Sequence, residues 1–120
     1  LIIRTLPNTL DKLSKDYSGS NPPYLHFEAM DFLLEQGVEH LLIDLPSVDR
    51  EQDEGVLAAH NIFWGLNKPK EIQDRRKNCT ITEMVYVDNE IEDGFYLLNL
   101  QIAPFPLDAS PSKPMIYQLY

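Results

Sequence analysis

The chain has a single cysteine, Cys79, and one thiol cannot close an internal disulfide. A disulfide-stapled scaffold is excluded, and a reducing cytoplasm is the expected setting. Long apolar runs are equally scarce, since none approaches the ~20 residues that a membrane-spanning helix requires. Basic residues are few, 10 against 19 acids, which gives a formal charge of −9. That balance repels phosphate backbones and anionic headgroups, so neither nucleic acid nor a membrane surface is expected as a partner. The motif inventory is thin as well. There is no H-x-x-x-H, C-x-x-C, glycine-rich phosphate loop or G-x-S-x-G, and so no complete metal or nucleophile site is written in these 120 residues.

What is present is enough length for a core, because a chain of this size hides roughly two thirds of its unfolded surface. It begins at Leu1 inside "LIIRTL", which reads as a buried strand to about Leu6; with no initiator methionine or leader ahead of it, part of a longer protein is expected. A connection follows, whose Pro22 and Pro23 suit the first turn of a helix. From Tyr24 to Gln36 the residues Leu25, Ala29, Phe32 and Leu33 fall on one helical face, and Gly37 stands where a left-handed cap is expected. The apolar run "HLLIDL" comes next, so strand, helix and strand form a βαβ unit with parallel strands. Val56 to Leu66 has the spacing of a second, short helix, whereas the charged "NKPKEIQDRRKN" reads as a solvated connection. Two further strands, "CTITEMVYV" and "GFYLLNLQIAPF", are joined by the acidic turn "DNEIEDG", and a last strand is expected over Met115 to Tyr120. The fold class is α/β.

Several polar groups stand on apolar faces. Alternation along "CTITEMVYV" puts Glu83 with Ile81, Val85 and Val87, where an ionised carboxylate costs several kcal/mol unless it is paired, hydrogen-bonded or bound to a metal. A partly wet edge strand, or pairing with Arg75 or Arg76, accounts for the same pattern. Asp44 raises the same question within "HLLIDL": it lies near a strand's carboxyl end, where open α/β sheets place ligands, and it equally suits a cap on the turn at Pro46 and Ser47. Asn99 and Gln101 share one face of an otherwise aliphatic strand, as pocket-lining groups or as paired core amides. Among the histidines, His26 and His40 read as structural. His60 follows an acidic loop on a short helix beside Trp64, where a neutral imidazole can shuttle protons. Trp64, Phe63 and Tyr96 either line an aromatic-accepting pocket or pack a core.

The stretch "GVEHLLIDLPSVDREQDEGVLAAH" resembles the cyclase family of metal-dependent hydrolases, whose members include bacterial kynurenine formamidase and isatin hydrolase. The family's strand with an Asp, its Pro-Ser-Val-Asp step and its loop ending in a histidine match Asp44, Pro46-Ser47-Val48-Asp49 and Leu57-Ala58-Ala59-His60. The resemblance continues through "ITEMVYVDNEIEDGFYLLNLQIAPFPLDASPSKPMI", similar to the family's final hairpin, and covers most of the chain from Tyr24 onward.

The resemblance implies a swivelling β/β/α-type mixed sheet with a βαβ unit and a C-terminal hairpin, an incomplete domain in which residues 1–120 are the C-terminal part. It implies that His60 donates and accepts protons in amide hydrolysis, that Glu83 is a metal ligand, and that Asp44 and Ser47 help to shape a wall of the pocket. The implied cofactor is a divalent metal, zinc or manganese, and the implied substrate a small N-formyl or cyclic amide. The family's diagnostic His-x-Gly-Thr-His-x-Asp-x-Pro-x-His segment, which supplies most metal ligands, has no counterpart here. The implied partners are therefore a missing N-terminal segment or a second copy of the chain. The competing expectation is a non-catalytic fragment or binding module that pairs with another chain through exposed sheet edges.

Overall fold

The computed structural model describes all 120 residues, 1–120. They form two units, Leu1–Val87 and Asp88–Tyr120. The first holds the strands β1 (Ile2–Ile3), β2 (His40–Ile43) and β3 (Thr80–Thr82), with the helices α1 (Phe27–Glu35), α2 (Ala58–Phe63) and α3 (Lys70–Arg76) and a 3₁₀ turn at Leu10–Leu13. β2 is the central strand and pairs in parallel with β1, Ile2 opposite Leu42, and with β3, Leu41 opposite Ile81. The expected βαβ unit is therefore present. Leu41, Leu42 and Ile43 are wholly buried, which explains why the sequence there runs continuously apolar instead of alternating. Around them Met30 of α1, Ile62 and Phe63 of α2, and Leu45, Val48 and Cys79 complete the core.

Gly37 takes φ 72°, and the amides of Gly37 and Val38 close on the carbonyls of Leu34 and Leu33, so the expected cap of α1 is there. α2 ends in the same way at Gly65, where a Cβ would come within 3.0 Å of the Ile72 side chain. Several boundaries differ from expectation. α1 starts at Phe27, with His26 as its N-cap, so Pro22 and Pro23 precede the helix and do not open it. The first strand is confined to Ile2–Ile3.

The segment read as a solvated connection contains α3. Its terminal Arg76 is buried, donating to the carbonyls of Phe63 and Val38 with its guanidinium 4.6 Å over the Phe63 ring. A guanidinium that satisfies two carbonyls and stacks on an aromatic face is at home in a core, a use that charge composition conceals. β3 also stops early, at Thr82. Met84 adopts φ 57°, after which the amides of Met84 and Val85 bond to the carbonyls of Leu45 and Ile43. The left-handed residue breaks the alternation that would have aligned Glu83 with Val85 and Val87.

The second unit is an antiparallel hairpin of β4 (Tyr96–Ile102) and β5 (Ser112–Gln118), with Leu98 opposite Ile116 and Asn99 opposite Met115. A C-terminal hairpin was expected; its strands are β4 and β5, while "CTITEMVYV" joins the parallel sheet instead. Two sheets are thus present, one parallel and one antiparallel, in place of one mixed sheet. No helix is long and apolar enough to cross a membrane.

Candidate functional site

The loop leaving β2 and the short helix α2 bring three titratable side chains together. Asp49 is 6% exposed and accepts hydrogen bonds from the amides of Ala59, at 2.7 Å, and His60, at 3.2 Å. These are N–H groups of the first turn of α2 that no carbonyl of the helix can satisfy. The residue in the N-cap position, Leu57, offers no side-chain oxygen, so an aspartate from the preceding loop does the capping. Asp49 also lies 2.6 Å from His60 Nδ1. On the other edge of the ring, His60 Nε2 stands 3.6 Å from Glu83 Oε1, which accepts the Val48 amide at 2.8 Å. The imidazole is bracketed by two carboxylates and remains 23% exposed.

The local backbone serves this arrangement. Leu57 is held at φ 48° by Asp53, whose carboxylate accepts the amides of Leu57 and Gly55, and this bend launches α2. The Ser47 hydroxyl accepts the Asp49 amide at 3.1 Å, fixing the turn from which Asp49 projects. Trp64, one helical turn after His60, stacks on its ring at 5.6 Å between centroids and 24° between planes, and its Nε1–H donates to the Cys79 carbonyl at 2.9 Å. An open cleft of about 330 Å³ is lined by Asp49 and Ala59 together with Tyr24, Phe27, Arg50 and Val56; His60 and Glu83 do not line it.

Of the residues singled out in the sequence, His60, Glu83 and Trp64 are thus gathered in one place, and Ser47 reaches it through Asp49. Glu83 pairs with neither Arg75 nor Arg76; its partners are Val48 and His60. Asp44 points elsewhere. Both its oxygens accept the Thr5 amide, at 3.1 and 2.9 Å, and Lys12 Nζ lies 2.8 Å from Oδ2, so it fastens the chain after β1 and caps no turn of its own. Asn99 lies on β4 of the second unit, exposed and opposite Met115. Asp49, visible in the sequence only as the last residue of the Pro-Ser-Val-Asp step, carries the role that the sequence did not signal. It caps a helix from ten residues upstream, beyond the reach of any local capping pattern.

A family model described as "Putative cyclase" matches residues 1–50, a span that includes the segment before Tyr24, where no motif had been apparent. Curated relatives named kynurenine formamidase match from Bacillus cereus, 29% identical over 94 residues, and from Bacillus cytotoxicus, 32% identical over 98 residues. The chain is a relative of the cyclase family. These relatives are longer: the matches take in 78% and 81% of this chain but only 39% and 41% of those two proteins. The chain therefore spans about two fifths of the length of the curated relatives it matches. No solved structure matches it.

Proposed function

We propose that this chain contributes the proton-transfer side of an amide hydrolase of the arylformamidase type, acting on a small N-formyl or cyclic amide. The observation that carries the proposal is the imidazole of His60, anchored at Nδ1 and turned at Nε2 toward Glu83 in a chain related to kynurenine formamidases. His60 takes a proton from the attacking water and returns it to the leaving amine, the two half-steps of general base and general acid catalysis. Glu83 holds the facing edge of the site at a fixed distance, because its other task is to accept the Val48 amide.

The resemblance implies a divalent metal, zinc or manganese, that would polarise the amide carbonyl. The chain's own residues do not fit one unaided. No group of three or more His, Cys, Asp or Glu side chains is arranged to hold an ion, and His60 Nε2 with Glu83 makes a pair, which falls short of the usual catalytic zinc set. Polypeptide from outside these 120 residues, a preceding segment or a partner chain, would have to complete the set.

A second reading rests on the hairpin. In the second unit no residue is fully buried, and Phe95, Leu97, Phe105 and Leu107 are exposed, as in a module that pairs with another chain. The test is hydrolysis of an N-formyl arylamine, with zinc and manganese affinity measured in parallel, by the chain alone and with the polypeptide encoded beside it. Activity and tight metal binding that appear only in combination, and fall with Glu83→Gln, support the hydrolase. Combination without metal binding or turnover supports the pairing module.

A further inference from the structure

We infer that Asp49 is the positioning residue of the site: it fixes the His60 ring as the Nδ1–H tautomer and thereby leaves the ring's lone pair on Nε2, the edge that faces Glu83. The catalytic consequence rests on the hydrolase reading, whereas the tautomer is a property of this chain by itself.

The bonding around Asp49 leaves little choice. An ionised carboxylate only accepts, and this one takes two backbone N–H groups, Ala59 at Oδ1 and His60 at Oδ2, with the ring nitrogen His60 Nδ1 against the same Oδ2. With the proton on Nε2 instead, the Nδ1 lone pair would face a carboxylate oxygen at 2.6 Å, two acceptors with no hydrogen between them. The opposite edge is not committed in this way, because 3.6 Å from Nε2 to Glu83 Oε1 is too long for a hydrogen bond.

The carboxylate also couples the ring to its support. It takes both backbone amides from the helix turn that carries His60, while its own amide is held by Ser47 and the next residue back, Val48, holds Glu83. One turn, Ser47–Asp49, thus sets both carboxylates that flank the imidazole.

The test is the ¹⁵N spectrum of the neutral His60 ring in the intact 120-residue chain, with long-range couplings assigning each nitrogen. In the wild type, Nδ1 is expected to give the protonated, pyrrole-type signal and Nε2 the unprotonated one. Asp49→Ser retains a capping hydroxyl and removes the ring's partner, and a mixture of tautomers is expected. Backbone amide spectra of the variant report whether the fold is kept.

A wild-type ring protonated at Nε2 overturns the inference and requires no variant. So does an Asp49→Ser protein that keeps its fold and leaves both ring signals unmoved. Failure of the hydrolase reading shows differently: no combination with further polypeptide turns over an N-formyl amide, while the wild-type tautomer stays as stated.

Discussion

Two buried aspartates leave the same strand five residues apart, and their surroundings differ in kind. Asp44 is enclosed by an ion pair with Lys12, whose ammonium also donates to the Thr5 carbonyl and hydroxyl, and by two contacts from the Thr5 amide. Its charge is answered by a charge within the chain. Asp49 meets only neutral amides and an imidazole, and that imidazole presents its far nitrogen to a second carboxylate. A saturated acid locks structure, whereas an acid that spends its lone pairs on orienting a titratable ring leaves that ring free to act. Burial alone does not separate the two, since Asp44 is 4% and Asp49 6% exposed.

The contrast is broken most severely at Lys12. Lys12→Met strands a carboxylate whose side chain is 1% exposed, and loss of one partner of a buried pair costs about 3–5 kcal/mol, read as a lower denaturant midpoint. Adding Asp44→Leu to that variant should recover much of the loss, because an apolar pair replaces the stranded charge. Asp49→Ala removes the acceptor from the first turn of α2 and should cost about 1–2 kcal/mol, the usual worth of a lost helix cap. Trp64→Phe keeps the stacking face but gives up the bond to the Cys79 carbonyl, for a loss of about 1 kcal/mol in the same denaturation series. Glu83→Gln should be the mildest in stability, under about 1 kcal/mol, since an amide oxygen still accepts the Val48 amide.

The parallel core was legible because β2 is buried on both faces and so reads as an unbroken aliphatic run, and because α1 carries both a periodic face and a glycine in its cap. His60 and Glu83 were visible as polar groups out of place. What stayed hidden depends on contacts distant in sequence. Asp49 caps α2 from across the loop, Asp44 finds its partners 32 and 39 residues away, and Arg76 anchors α3 through the carbonyls of Phe63 and Val38. The pairing of β4 with β5 was obscured for a similar reason, since the left-handed Met84 ends the preceding ladder without any glycine or proline to signal it.

On the proposed function, Glu83 belongs to the working site and Asp44 to the frame. The direct test is hydrolysis of an N-formyl arylamine by the chain combined with the polypeptide encoded beside it, for wild type, Asp44→Asn and Glu83→Gln, each normalised to its folded fraction. Asp44→Asn should lose stability but keep the specific activity of its folded molecules, while Glu83→Gln should stay folded and lose activity. A folded Asp44→Asn protein without activity, beside a Glu83→Gln protein that turns over like the wild type, would contradict that assignment.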